Sequence, residues 1–446
     1  MTPKAWSSRF AFLMAATGFA VGLGNIWRFP YVAGENGGSA FVLIYLVWVV
    51  VIGVPILMAE IMLGRRGRLT PPAGLTALAR ESRRSAHWAW LGNLNLLTAY
   101  AIQVVYAVII GWVLYFLYLS FTGTVAQASA TSAPLLLAGL LQDVPIMLLC
   151  TGIAIGIAGL VVFAGLSRGI EPAVKVLMPL LFLLLIALAI FNAFNGGMSE
   201  ALTYLFAPDF GKVTPGVLLA AIGQAFFSIG VAMAAMMMFG AYLPQHISIA
   251  RSALLIVTVD TLVAITAGLV IFPLVFKYGL DPAGGPGLIF QTLPIAFAQM
   301  GQATVVASLF FLLLSVAGIT SLVGFMEPLV ARVEERFAVS RRQAMLGLLP
   351  LIIAGSIISV LSYNVWAQVS LFDVPLETIL DFVPNQIFLP LGGLLIAIFA
   401  GWFMRPEWAS EELKLSTGLF KIWHTALRFV VVPLVAVIFI TGLVAE

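Results

Sequence analysis

The stretch GFAVGLGNIWRFPYVAGENGGSAF, residues 18–41, decides how this chain is read. It lies among long apolar runs, yet it carries repeated glycines, an asparagine and an arginine, all of which hydrocarbon penalises. Two readings are open. Gly18 and Gly22 form a GxxxG pair, which lets two helices pack closely. Asn25, Arg28 and Pro30 in the same segment favour the other reading, a helix interrupted within the membrane. Glycine makes an interruption inexpensive, the freed carbonyls can coordinate cations, and the amide end of a half-helix favours a carboxylate.

The surrounding chain identifies the solvent. Of 446 residues, 62% are hydrophobic and 9% charged, with mean hydropathy +1.09, whereas a soluble domain carries about 25% charged residues. Apolar runs at 39–63, 96–121, 145–165, 176–191 and 303–326 are each long enough to cross a bilayer as a helix. They are continuous, which excludes the period-two alternation of a β-barrel. The first segment runs into NIWRFP and not into a small-residue cleavage site, so it reads as a span and not as a cleaved leader. Cys150 is the only cysteine, which excludes an internal disulfide.

The expected fold is all-α and integral to the membrane, with eleven transmembrane helices. They fall roughly at 10–30, 39–64, 88–121, 143–165, 169–192, 214–242, 246–276, 302–334, 343–363, 378–404 and 421–443. All of the 22 basic residues except Arg28, Lys212 and Lys277 then collect on one side. That places the N-terminus in the cytoplasm and the C-terminus outside, in the plasma (inner) membrane of the cell. The same bias explains the net charge of +3 without a nucleic-acid partner. Loop 277–301, with DPAGGPG, is too polar to span and is expected to pack over the outer face.

An interrupted first span predicts a matching interruption in the other half of the chain. Residues 223–242, GQAFFSIGVAMAAMMMFGAY, set Gln224, Ser228 and Gly230 in the middle of an apolar run. Spans one and six would then open two five-helix repeats, about 10–192 and 214–404, of a single domain covering 1–446, with a further helix at about 421–443. Asp260, deep in VDTLVAITAGLVIF, must be protonated, paired or bound to a cation. Thr320 and Ser321 in AGITS either bond back to their own helix or offer oxygens to a hard cation. Glu60 is expected to satisfy backbone amides freed by a break.

GFAVGLGNIWRFPYVAGENGG, GQAFFS, DTLVAITAGLVIFP and AGITSLVGFMEP together resemble the neurotransmitter:sodium symporter family, in particular its bacterial amino-acid transporters, in order from about residue 4 to residue 443. The resemblance implies sodium-coupled import of an amino acid by alternating access, in a 5+5 inverted-repeat fold with helices 1 and 6 unwound at mid-membrane. It implies a first sodium site from the Ala20 carbonyl, Asn25, Ser228 and Asp260, completed by the substrate carboxylate. The implied second site uses the carbonyls of Gly18, Val21 and Ala317 with the hydroxyls of Thr320 and Ser321. One or two sodium ions and no organic cofactor are expected, in a monomer or weak dimer within the lipid bilayer. Many relatives that need chloride have Asn where this chain has Asp260, and Ala264 replaces their chloride-binding serine, although Tyr45, Gln224 and Ser228 are present. Chloride-independent transport is the implication.

Gly22 stands where amine-transporting relatives place an aspartate, so an amino acid bringing its own carboxylate is expected. Tyr106 matches the family tyrosine that contacts this carboxylate, aided by amides near Ala20, Gly22 and Gly24. Ile102, Phe227, Ser228, Gly230, Met233, Ser321 and Phe325 would line the rest of the pocket and favour a hydrophobic or aromatic L-amino acid. Met233 reads equally well as ordinary packing. Arg28 with Asp381 would form the outer gate above Phe227, and Trp6, Tyr242 and Glu335 the inner one, with Lys4 or Arg9 pairing Glu335. The second break reads Ile229-Gly230-Val231-Ala232, one glycine fewer than the family pattern, which implies a shorter or stiffer turn. His87, His246 and His424 have no metal spacing and no nucleophile, base and acid cluster together, so no enzyme is expected. An amino-acid-binding membrane sensor would share the pocket and is the alternative.

Overall fold

Hydrocarbon offers no hydrogen-bond partner to a backbone, so a chain this apolar must close its polar groups within helices. A computed structural model describes residues 5–444, and among these nine helices are long and apolar enough to cross a membrane, or ten if one bent pair counts as a span. The bent pair is α1 (Arg9–Ala20) and α2 (Gly24–Glu35), which meet at 49°. There follow α3 (Ser39–Gly67), α4 (Ala86–Phe121), α5 (Val144–Phe163) and α6 (Leu166–Phe194). Next come two shorter helices, α7 (Pro215–Ser228) and α8 (Ala235–Ala241), of 14 and 7 residues. At about 1.5 Å per residue neither alone crosses a core of about 30 Å. The remaining long helices are α9 (Ile249–Lys277), α10 (Ala303–Phe337), α11 (Arg341–Ser362), α12 (Leu376–Phe403) and α13 (Thr417–Leu443). Between α11 and α12 lies a small antiparallel ribbon, Ser370–Leu371 against Val374–Pro375, with Ser370 opposite Pro375.

Burial separates the centre from the rim. In α10, 83% of the most apolar window is buried, against 22% in α13, so α10 is the hub and α13 an outer helix. α10 packs along α4, where Gly318 admits Ile110 so closely that a Cβ at 318 would overlap it. α1 packs on α10 as well. Leu160 and Phe163 of α5, Leu183 and Phe194 of α6, and Phe429 of α13 are exposed and form part of the acyl-facing sheath. Residues 278–302 fold back onto the helices. Their Leu288, Phe290 and Phe297 are buried, Phe290 packs on Trp112 and Phe116 of α4, and Trp27 of α2 donates to the Pro286 carbonyl at 3.1 Å.

At the end of α3 one ion pair is almost dry. Arg65 is fully buried; its Nε donates to Glu412 Oε2 at 2.7 Å, one terminal nitrogen donates to the Ile247 carbonyl at 2.6 Å and the other to the Glu412 carbonyl. The pair binds α3 to the α8–α9 connection and to the helix Pro406–Leu413. Arg65→Ala leaves the Glu412 carboxylate only the longer contacts to Arg66 at 3.9 Å and Gln245 at 3.5 Å, and breaking such a buried pair costs up to roughly 3–5 kcal/mol. Thermal unfolding in detergent should register that loss as a clear drop in midpoint.

Candidate functional site

Both helix interruptions are repaired by side chains from other elements. α1 starts at Ser8, whose Oγ accepts from the Ala11 amide at 3.1 Å, and stops at Ala20. Val21 is extended (φ −73°, ψ 90°) and closes on the Thr17 carbonyl. Beyond it the Gly22 amide donates to Asn25 Oδ1 at 3.3 Å and the Leu23 amide to the Tyr106 hydroxyl at 3.0 Å. Gln224 Nε2 donates to the Gly24 carbonyl at 2.9 Å. A Cβ at Gly22 would lie 2.6 Å from Ser321 Oγ and 2.7 Å from the Tyr106 oxygen, so glycine is needed there for close approach.

The second interruption runs over residues 229–234, between α7 and α8. Gly230, Ala232 and Ala234 have φ of +69°, +63° and +61°. A left-handed alanine costs about 1–2 kcal/mol. The glycine-poor sequence therefore does not close the break; alanine bears the conformation instead. Glu60 of α3, wholly buried, accepts from the Ala232 amide at 2.9 Å, the supporting role expected of it.

Between the breaks lies a buried polar cluster. Asn25 Nδ2 donates to Asp260 Oδ1 at 2.8 Å, to the Asp260 carbonyl at 3.1 Å and to Ser228 Oγ at 3.0 Å. Ser228 Oγ in turn donates to Asp260 Oδ2 at 2.6 Å, with the Tyr45 hydroxyl 3.4 Å away. Asn25, Ser228, Asp260 and Tyr45 are all buried. Among the described residues no Lys, Arg or His forms an ion pair with Asp260, so its carboxylate meets only neutral groups. Burying a charge this way is costly without a counter-charge. Asparagine, hydroxyl and carboxylate oxygens suit a hard cation. Among the described residues no three or more His, Cys, Asp or Glu converge as they would for a transition metal.

Where α1 meets α10 a second set of oxygens gathers. Thr320 Oγ1 donates to the Val316 and Ala317 carbonyls at 3.1 and 2.9 Å. Ser321 Oγ donates at 3.2 Å to the Ala317 carbonyl and to the Phe19 carbonyl across the helix pair. Back-bonding is thus present, while each hydroxyl keeps lone pairs free for an acceptor role. Gly18 packs here, its Cβ position 3.5 Å from Thr320 Cβ and 2.8 Å from Met178 of α6. Val21 is buried beside it.

Tyr106 of α4 borders the first break, its ring 5.7 Å from that of Phe325 of α10, and Ile102, one turn before Tyr106, is buried. Met233 is buried in the second break. Sequence reasoning missed Phe19. Its ring packs edge-on to Phe325 at 5.0 Å and Phe239 at 6.2 Å, between Gly230 and Gly324, each of which leaves room for it. The two glycines were visible in the sequence, but the ring they accommodate was not.

The two sets of expected gate residues differ. The Arg28 guanidinium lies over the Phe227 ring at 4.2 Å. Asp381 accepts from Asn385 Nδ2 at 2.9 Å, and among the described residues no ion pair within 4.0 Å joins it to Arg28. Trp6 is buried; its Nε1 donates to the Phe239 carbonyl at 2.9 Å, its amide donates to the Tyr242 carbonyl at 3.1 Å, and its ring packs on Phe12, Phe239 and Tyr242. Tyr242 departs from expectation. Its hydroxyl donates to Glu327 Oε1 at 2.8 Å, and Glu327 is paired with Arg341, which folds back from α11 and also pairs with Glu334 at 3.2 Å. Glu335, two turns on and near the surface, instead pairs with Arg332 at 3.1 Å and accepts from Thr70. Among the described residues Arg9 is not its partner; Lys4 lies outside them. Glu327 sits in FMEP within an apolar span, a signal that was available, whereas the Arg341 contact depends on how α11 turns back.

The model for the sodium:neurotransmitter symporter family matches residues 3–133 and 144–445. An uncharacterized sodium-dependent transporter of Haemophilus influenzae is 33% identical over 99% of this chain and 98% of its own length. The uncharacterized sodium-dependent transporter YhdH of Bacillus subtilis is 34% identical over 98% of this chain and 97% of its own. The crystal structure of MhsT in complex with L-phenylalanine superposes with a TM-score of 0.90 at 38% identity, covering 98% of this chain and 99% of that one. These relatives are transporters, not enzymes.

The Leu23–Tyr106 bond gives a direct test of how the first break is held. Tyr106→Phe leaves the Leu23 amide without its acceptor, at a cost of about 1–3 kcal/mol. The expected result is a lower unfolding midpoint and faster amide exchange at residues 21–25; exchange unchanged there would show that the hydroxyl is dispensable.

Proposed function

Because the chain belongs to the sodium:neurotransmitter symporter family, we propose that it imports a hydrophobic or aromatic L-amino acid against its gradient, driven by sodium. The observation that carries this reading is the buried Asn25–Ser228–Asp260 cluster, which touches both helix interruptions and presents an uncompensated carboxylate. On this reading α1 with α2 forms one span and α7 with α8 another, giving eleven, with the N-terminus cytoplasmic. Residues of about 10–192 and 214–404 are the two inverted repeats, and α13 is additional.

The first sodium ion is bound by the Ala20 carbonyl, Asn25, Ser228 and Asp260, and the second by the Gly18, Val21 and Ala317 carbonyls with Thr320 and Ser321. The substrate carboxylate lies against Tyr106, Gly22 and Gly24. Its side chain lies among Ile102, Phe227, Gly230, Met233, Ser321 and Phe325, to which the structure adds Phe19. An aromatic substrate is supported by these walls and by the L-phenylalanine bound in the structure of MhsT. The Trp6 seal, together with Arg28 and Asp381 standing unpaired, supports an arrangement closed to the inside while the outer gate is not latched. Sodium at the second site joins α1 to α10 and favours that arrangement by its differential affinity for it. Asp260 supplies the fixed charge beside Tyr45 and Ser228, and Ala264 adds no hydroxyl, which supports chloride independence.

Uptake of labelled L-phenylalanine into proteoliposomes should require an inward sodium gradient; binding without accumulation would instead mark a sensor. Replacing chloride with gluconate should leave uptake unchanged, and loss of most activity would refute chloride independence. Thr320→Ala should raise the sodium concentration for half-maximal uptake about tenfold, as expected for losing about 1.4 kcal/mol of a charge-assisted contact.

A further inference from the structure

Asn95 of α4 is wholly buried, yet among the described residues neither its amide nitrogen nor its amide oxygen has a hydrogen-bond partner. Helix geometry puts it on the pocket-facing stripe: seven residues before Ile102, it points within about 20° of the same direction and lies about 10 Å along the axis. That displacement leads away from the pocket and toward the N-terminal end of α4. Only three residues earlier, Gly92 packs tightly on Pro71 and Pro72, next to the Thr70 that binds Glu335. Asn95 Oδ1 stands 2.7 Å from where a Gly392 Cβ would be, and Ala232 Cβ of the second break is 3.2 Å from the same point. Asn95 therefore stands beside the second break as a buried amide without a partner among the described residues.

A group that is starved of partners in one arrangement favours any arrangement that brings it water. We propose that Asn95 lines the cytoplasmic half of the translocation path, dry while the inner side is sealed and hydrated when it opens, so that its amide shifts the equilibrium toward inward opening. Asn95 touches neither proposed ion site nor the substrate and acts as a positioning residue. The proposal rests on the symport reading given above.

The test uses the full chain in proteoliposomes. Hydrogen exchange of peptides covering residues 5–12 reports opening of the Trp6 seal in sodium-free potassium buffer. Asn95→Leu, which needs no partner in the sealed state, should slow that exchange at least about fivefold, the factor equivalent to about 1 kcal/mol. Asn95→Ser, which remains hydratable, should exchange near the wild-type rate. In a Cys150→Ser background, the Asn95→Cys thiol should react with an impermeant reagent from the inner face in potassium and be protected by sodium with L-phenylalanine. An Asn95→Leu variant exchanging as wild type does, or a thiol equally reactive in both buffers, overturns the proposal. Wild-type uptake measured in the same vesicles separates the two ideas: its absence counts against symport, while the exchange of Asn95→Leu in potassium, which needs neither sodium nor substrate, judges Asn95 either way.

Discussion

Everything in this structure answers to the absence of water around the backbone: a helix may be broken in hydrocarbon only where other side chains take over its hydrogen bonds. At the first break Asn25, Tyr106 and Gln224 hold the Gly22 amide, the Leu23 amide and the Gly24 carbonyl. At the second, Glu60 holds the Ala232 amide. These groups come from four different helical segments, so the repair of each break is also what fixes the breaks relative to each other. The same requirement explains why polar atoms gather there. Side chains recruited to satisfy a freed backbone are already oriented, dry and rich in oxygen, which is what a small cation needs.

Close approach is the second requirement, and glycine supplies it by lacking a side chain. Gly22 lets Tyr106 and Ser321 reach the first break, Gly318 receives Ile110, and Gly324 receives Phe19. α10 can therefore serve α1 and α4 at once and become the most buried span. The end of the bundle at Trp6 is more heavily bonded than the end at Arg28. Trp6, Tyr242, Glu327 and Arg341 form a continuous chain of contacts. Arg28 rests on an aromatic face, and Asp381 is engaged by its neighbour Asn385.

Much of the site was legible because membranes make polar residues conspicuous. Asn25, Ser228, Asp260, Thr320 and Ser321 each stand out against an apolar run; the first three meet between the two breaks, and the last two lie where α10 meets α1. Glu60 was legible for the same reason. The inner network was not. Glu327 and Glu335 are both acids on α10, and only the rotation of that helix and the return of α11 give Tyr242 to the first and Thr70 with Arg332 to the second. Phe19 was hidden because an aromatic in an apolar span carries no signal of its own. Asn95 was hidden because an isolated amide on a helix gives no hint of whether it has a partner.

Local composition and the cost of polar groups in hydrocarbon were enough to read the solvent, most of the spanning helices and the interruption of the first one from sequence. The missing glycine of the second break pointed to a shorter or stiffer turn, and in the structure Ala232 and Ala234 take the left-handed conformation there. Tertiary structure alone decided which carboxylate answers which hydroxyl, which ring fills which glycine gap and which buried amide goes without a partner. Those outcomes depend on distances of a few ångströms between residues 302 positions apart, as for Phe19 and Ser321, or 347, as for Arg65 and Glu412, and no local pattern encodes them.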